Sequence, residues 1–284
     1  MEMRIPRYYS VDHEINQFVD DSSSIIAAET EEEIGNYTSD FLAVMDKYYH
    51  FNKLKLNPEK TKLMITKTQD ITKIKIKTPT GENLQEDKAI KILGIWKNKR
   101  DAYDTHIAKI KGIVIKKLSE LYPYLHCMTL KTRRKIVYSK ISSIVLYGIE
   151  LFLGQSERII EKVTALLMRC NRAIYLKDFF KVSNMRICKD ISVDPPDVLI
   201  KKSGLKFIHK LIQNEAPAQL FSKIRINNRM RKCSKISLRD GIRKECNKRN
   251  LIYQSVQLYN NLSTDLKYLP IKKFKRQLQK VKNV

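Results

Sequence analysis

Gln17–Ala28 reads QFVDDSSSIIAA, and its pattern decides how the first part of the chain folds. Apolar-leaning runs, Ile15 to Phe18 and Ser24 to Ala28, flank Val19, Asp20, Asp21 and Ser22. That arrangement predicts two short strands joined by a tight turn, with two adjacent aspartates at its tip. Two carboxylates side by side are costly to keep ionised unless a divalent cation neutralises them. Mg²⁺ is commonly held by one or two carboxylates together with substrate phosphates. An Asp-Asp pair is also common in solvated turns, so at this level the metal reading and the turn reading both stand.

Downstream of the hairpin, Thr30 and Glu33 form a capping box. Ile34, Tyr37, Phe41, Met45, Tyr48 and Phe51 then recur at helical spacing, which predicts an amphipathic helix packed on a sheet. Asn57 and Pro58 end it in a loop. Leu63 to Thr66, the alternation Ile74, Lys75, Ile76, Lys77 and the run Ile90 to Trp96 read as further strands, with Pro79, Thr80 and Gly81 as a turn. Trp96 belongs in a buried strand by this reading.

Beyond Arg100 the apolar period is helical. Ile107, Ile110, Val114, Leu118 and Leu121 make one stripe, stopped by Pro123. Thr129 caps a second helix running through Ile136, Ile141, Ile144 and Leu146, and Ile160, Val163, Leu167 and Ile174 make a third. A polar stretch around Lys177 to Lys189 suggests a breakpoint. Asp194 and Pro195 then read as a cap and first-turn proline before a helix through Leu205, Ile208 and Ile212. Ile226 to Asn250 is rich in Lys, Arg, Asn and Ser and reads as a loop or arm that orders on binding. Two helices, Leu251 to Leu262 and Ile271 to Lys282, end the sequence.

Composition limits the function classes. With 284 residues, 43% hydrophobic, and only 8 Gly and 8 Pro, the chain is neither collagen-like nor wholly disordered. Fifty-five Lys and Arg against 30 Asp and Glu give a net charge of +25, which makes nucleic acid the leading partner. Residues 1–66 hold 7 basic and 12 acidic residues, whereas residues from Lys201 onward hold 22 and 4. An acidic head therefore precedes a basic body. The five cysteines, Cys127, Cys170, Cys188, Cys233 and Cys246, are odd in number with no C-x-x-C pair, which argues for a reducing compartment and no zinc. The longest apolar stretch, Ile141 to Leu153, is too short to span a bilayer, and the N-terminus lacks a signal-peptide core. The expectation is an intracellular protein of nucleus or cytoplasm with no membrane partner.

Taken in order, QFVDDSSSIIAA, KLKLNPEKTKLMI, IKILGIW, THIAKI and TRRKIVYSKISSIVLYGIELF resemble the C-terminal half of a non-LTR retrotransposon reverse transcriptase. Gln17 to Ser22 match the palm hairpin with its Y/F-x-D-D signature. Leu56, Asn57, Lys60 and Thr61 match the L-x-x-N-x-x-K-T segment, Leu93 to Ile95 the primer-grip strand, and Tyr147 with Gly148 the Y-G of the thumb. The tail, Leu251 to Leu278, resembles the family's C-terminal ending.

The resemblance implies an α+β fold: a partial palm over residues 1–98, with a short antiparallel sheet and helix, then an all-α thumb over 99–178 and a basic helical C-terminal region over 179–284. It implies that Asp20 and Asp21 bind Mg²⁺ or Mn²⁺ in two-metal nucleotidyl transfer. Lys60 would act near the phosphates of the incoming dNTP, and Leu93 and Gly94 against the primer. RNA template and DNA primer, or duplex nucleic acid, would be the partners. The mechanism also needs a third aspartate from an upstream palm strand and nucleotide-binding fingers. Neither is found here, so the expectation is a fragment inactive alone, short of the N-terminal part of the polymerase.

The alternative is a basic RNA- or DNA-binding protein that keeps only thumb and tail surfaces. Lys131, Arg133, Arg134 and Lys135 would form one phosphate-contacting edge, and Arg229, Arg231, Lys232 and Lys235 another. None of the five histidines lies in a nucleophile motif that would support an acid–base hydrolase.

Overall fold

A computed structural model describes residues 13–18, 21–57, 59–66, 76–79, 81, 83–84, 86–99, 103–176, 182–215, 217–227, 235–238 and 250–281. The chain divides into two compact units, Met1–His106 and Ile107–Val284. It is an α+β chain, mostly helical, whose described strands form two-stranded antiparallel sheets. The two helical stretches expected to be separate regions, 99–178 and 179–284, lie almost entirely within the second unit.

In the first unit, β1 (His13–Phe18) pairs with β2 (Asp21–Ile26), with Phe18 opposite Asp21. The expected hairpin is present, but Asp21 opens the second strand rather than standing in the connection. Helix α1 (Glu31–Phe51) starts at the capping box: the Glu33 N–H donates to Thr30 Oγ1 at 3.2 Å and the Thr30 N–H to Glu33 Oε2 at 3.1 Å. Glu31, Glu32 and Glu33 complement the positive end of the helix dipole. Its buried face is Gly35, Thr38, Leu42 and Met45.

Two strand expectations change in detail, and a third is described only in part. Leu63 makes an isolated parallel bridge to Glu86; of the Lys/Ile alternation, Ile74 and Lys75 lie outside the described residues, and Ile76–Lys77 form the described strand β3, paired with β4 (Asn83–Leu84). The Gly81 N–H donates to the Thr78 carbonyl at 2.9 Å, in the turn expected there. The apolar run read as one strand through Trp96 is instead a hairpin, β5 (Ala89–Ile92) and β6 (Ile95–Asn98), turning at Leu93 and Gly94. Their φ values of 46° and 86° give the two left-handed residues that a right-twisted two-residue hairpin demands. Trp96, opposite Lys91, is half-buried rather than a core residue.

In the second unit, Pro123 does not stop its helix. Helix α2 (Asp104–Leu125) carries Pro123 near its C-terminal end and extends the apolar stripe to the fully buried Leu125. Thr129 caps α3 (Leu130–Val137) as expected, its Oγ1 accepting from the Thr132 N–H at 3.3 Å. The run then passes through one π-helical turn, Tyr138–Ser142, into α4 (Ser143–Leu146). Val137, Ile141 and Val145 stay buried through that widened turn. Gly148, at φ 67°, reverses the chain into a 3₁₀ turn, Ile149–Phe152.

Helix α5 (Glu157–Tyr175) has the long buried stripe its sequence promised, and packs against α3 and α6 (Asn184–Asp190). Thus the polar stretch read as a breakpoint contains a helix, anchored by buried Ile187 and Cys188. Helix α7 (Pro196–Asn214) starts with Pro196 in its first turn. Asp194 makes no cap bond and instead accepts from the Lys202 ammonium at 2.8 Å.

After α8 (Ala218–Phe221), part of the expected arm is a hairpin, β7 (Ile224–Asn227) with β8 (Lys235–Leu238). It is tied to α9 (Leu251–Asn260) by the Asn260 amide, which accepts from the Ile236 N–H at 3.0 Å and donates to the Ile236 carbonyl at 2.9 Å. Helices α10 (Thr264–Lys267) and α11 (Ile271–Lys280) follow. One apolar cluster joins Leu205, Ile208 and Leu211 of α7 with Ile224, Ile236, Val256, Tyr259, Phe274 and Leu278. Helices α7 and α9 approach closely enough that a Cβ on Gly204 would lie 3.0 Å from Ser255 Oγ and would collide with a Leu153 methyl.

Candidate functional site

The aspartate hairpin is held at its β2 end. The Tyr49 hydroxyl, near the end of α1, donates to Ser22 Oγ at 2.8 Å, so the residue after the aspartate pair is fixed to the helix. Tyr48 meets the Tyr49 ring edge-on at 5.8 Å, which limits where that hydroxyl can reach. Asp21 is exposed; Asp20 lies outside the described residues. Among the described residues no group of three His, Cys, Asp or Glu side chains stands together as a metal-binding set. The described carboxylate of the pair therefore does not complete a two-metal site by itself.

Lys60 stands on a short turn that Asn57 builds. The Lys60 N–H donates to Asn57 Oδ1 and to the Asn57 carbonyl, both at 3.2 Å, and Thr61 Oγ1 donates to the same carbonyl at 2.8 Å. These bonds explain the N-x-x-K-T spacing locally: a side-chain amide at the first position closes a turn over the next three residues. The Lys60 side chain is exposed, and neither hydrogen bond nor ion pair joins it to Asp21. Leu93 and Gly94, expected on a strand, form the exposed tip of the β5–β6 hairpin.

Of the basic edges, Lys131, Arg134 and Lys135 are exposed on α3, and their i, i+3, i+4 spacing places them on one face. Arg133 is half-buried, with its Nε enclosed and without a hydrogen-bond partner. Lys235 opens β8 opposite Asn227; Arg229, Arg231 and Lys232 lie outside the described residues.

The cysteines that the structure describes behave differently from one another. Cys127 is exposed, while Cys170 and Cys188 are buried and free. Burial pushes the Cys170 thiol up to about 11. Cys188 Sγ lies 3.7 Å from Met168 Sδ, and the Asn171 amide donates toward both sulfurs, so this corner of α5 and α6 is packing.

The strongest electrostatic feature follows from where the structure divides. The first unit, 1–106, holds 16 Lys and Arg against 18 Asp and Glu; the second, 107–284, holds 39 against 12. Essentially all the excess positive charge thus belongs to the helical unit. Two of its lysines are drawn inward. Lys202 is buried, bonded to Asp194 and, at 3.4 Å, to the Gln279 carbonyl of α11. Lys206, one turn further along α7, is half-buried, and its pKa is lowered by desolvation and by the charges of Lys202 and Lys275, with Asp194 acting in the opposite sense. Pattern reading missed this pair because both lysines sit inside an ordinary amphipathic period.

No protein-family model, curated protein or solved structure matches the chain. Among the described residues no helix is long and apolar enough to cross a membrane.

Proposed function

We propose that the chain is part of a reverse-transcriptase-like RNA-directed DNA polymerase, whose first unit carries the aspartate hairpin and whose second unit grips nucleic acid. The observation that carries the reading is the placement of charge. A near-neutral unit bearing the F-V-D-D hairpin precedes a unit with 39 basic and 12 acidic residues. A polymerase can use such a division, because carboxylates gather cations while the surface that holds template and primer neutralises phosphates. The capping-box helix and the Tyr49–Ser22 bond, which fix the hairpin in place, support it further. Lys60 and the Leu93–Gly94 tip would act toward nucleotide and primer.

The test is primer extension on an RNA template with Mg²⁺ or Mn²⁺, beside the Asp20→Asn, Asp21→Asn double variant. Synthesis that the double variant abolishes makes the chain a polymerase with its metal site in the hairpin. A second reading, nucleic-acid binding without synthesis, is favoured by the exposed basic face Lys131, Arg134 and Lys135. It predicts equal duplex affinity for both proteins; absence of synthesis alone does not choose between the readings, because the polymerase fragment is itself expected to be inactive alone. Binding that ignores ionic strength would sink both readings, since contacts to phosphates release counterions.

A further inference from the structure

We propose that the seam between α7 and α11 is a binding site for the phosphates of a nucleic-acid backbone, held by Lys206, Lys272, Lys275 and Arg276. The inference rests on the nucleic-acid reading above and locates a surface for it outside both basic edges marked in the sequence.

The placement comes from two fixed points. Lys202 Nζ reaches the Gln279 carbonyl at 3.4 Å, and seven residues later His209 stacks on Phe274, ring centroids 3.8 Å apart and planes 11° from parallel. As the α7 numbers rise the α11 numbers fall, so the helices run antiparallel. Lys206, midway between the fixed points on α7, therefore faces the turn of α11 that bears Lys275 and Arg276.

Helix α11 is unusual in its charge. Lys272, Lys273, Lys275, Arg276 and Lys280 are all exposed, and the sequence from Leu266 to Val284 contains no Asp or Glu. Lys272 with Lys275 and Arg276, and Arg276 with Lys280, are like charges three and four residues apart, an arrangement that destabilises a helix. Pressing Lys206 against this row adds desolvation and a further like charge, as its lowered pKa reflects. Asp194, the nearby carboxylate, is bonded to Lys202. A row of cations crowded together with so little countercharge is arranged for an anion supplied from outside.

The geometry favours a nucleic acid over a lipid surface. A helix that lies on a membrane needs a free apolar face beneath its basic one. In α11 that face is Phe274 and Leu278, both fully buried in the protein's own core. What remains outward is a stripe from Lys272 to Lys280 about 12 Å long at about 1.5 Å per residue, which matches the rise of three to four nucleotides along a duplex axis at about 3.4 Å each.

The experiment uses the full chain and a fluorescent duplex, with affinity measured from about 50 to 500 mM salt. Lys206→Gln, Lys272→Gln, Lys275→Gln and Arg276→Gln together should weaken binding at least about tenfold at low salt. They should also flatten the slope of log affinity against log salt by about 0.9 for each phosphate no longer neutralised. The melting temperature should hold or rise, since a like-charge row is relieved. Wild-type protein acylated at pH 8 should gain the label at Lys206, and bound duplex should protect that amine. If the fourfold variant keeps wild-type affinity and slope, or duplex leaves Lys206 labelling unchanged, the seam is not the site, while the nucleic-acid reading survives. If wild-type protein binds no duplex, or prefers anionic vesicles, that reading falls and the seam proposal with it.

Discussion

The two units use their apolar residues in different ways. Among its described residues the first builds three two-stranded hairpins and one long helix, and leaves Ile25, Phe51, Leu54 and Leu93 more than 45% exposed. Its described buried apolar side chains, Leu42, Met45, Ile65, Ile76 and Tyr103, come from scattered positions. The second unit gathers side chains from α7, β7, β8, α9 and α11 into one contiguous cluster. A two-stranded hairpin is at best marginal by itself, whereas helices sharing a core stabilise one another. The unit with candidate chemistry is thus loosely built, and the one with the charge is well packed. Stiffness here goes with the surface that would hold a polyanion.

The sharpest way to break this contrast is to remove one side chain from each core. Phe274 is fully buried and stacked on His209, so Phe274→Ala should cost about 4 kcal/mol, against about 2 kcal/mol for Leu42→Ala in the first unit. Denaturant unfolding read by hydrogen exchange should show the first unit's amides opening before those of α7 and α9. Simultaneous exchange in both would erase the distinction.

Next in size is the buried ion pair. Lys202 is nearly inaccessible while the Asp194 carboxylate is about one third exposed. Lys202→Met should therefore cost about 3 kcal/mol, toward the low end for breaking such a pair, and loosen the C-terminal end of α11, which is no longer tied through the Gln279 carbonyl. A change under about 1 kcal/mol in a denaturant titration would mean that the pair merely breaks even against packing.

His209 adds a pH dependence. Its Nε2 lies 2.9 Å from the Leu269 carbonyl and carries the proton there in the neutral ring, which leaves Nδ1 to face the Tyr259 hydroxyl at 3.0 Å, whose one proton the Lys267 carbonyl also competes for at 3.3 Å. Burial lowers its pKa below 6.5, partly countered by the carbonyl bond. The unfolded chain thus takes up this proton first. The stabilisation is complete above about 6.5 and is lost as pH falls from there through the folded value. Thermal melts between pH 7.5 and 5 should show the second unit weakening, and His209→Asn should flatten the trend.

The smallest effect expected lies at the tip of the β5–β6 hairpin. Leu93 holds φ 46°, a region that costs a side chain of this kind about 1 kcal/mol, so Leu93→Asn should stabilise the first unit by about that amount. A drop in stability would mean that the packing of Leu93 is worth more than its backbone strain.

The same residue shows how far the sequence could be read. The α+β architecture, the Thr30 and Thr129 caps and the stripes of α2 and α5 were legible, because capping and period are local; in α1 the helix was legible but its buried face, Gly35, Thr38, Leu42 and Met45, shares only Met45 with the apolar series from Ile34 to Phe51. The Leu93–Gly94 turn was not, since leucine is a poor marker of left-handed backbone and the apolar run continues across it. Pro123 misled for the opposite reason: it falls where few helical bonds remain to be broken. Asp194 has a cap's composition but is drawn away by Lys202, a partner eight residues along. At the candidate sites, the turn at Asn57 and the exposed face of Lys131, Arg134 and Lys135 are local features, whereas a role for Lys60 came only from the resemblance, and Arg133, expected on the same edge, is half-buried. The seam of Lys206 and Lys275 depends on two helices meeting, which no local pattern contains, though the run without an acid after Asp265 was visible as a signal.

The π-helical turn at Tyr138–Ser142 bears on how this chain tolerates changes in length. Such a turn holds one residue more than an α-turn while leaving the helical faces before and after it aligned. A single deletion within it would convert α3 and α4 into one ordinary helix with Val137 and Val145 still facing inward, and with the Tyr147–Gly148 reversal where it was. Within an ordinary α-helix of the second unit, a lost residue would rotate the rest of that helix by about 100°. This turn is therefore a place where a helix of this unit can shorten by one residue and keep its buried face.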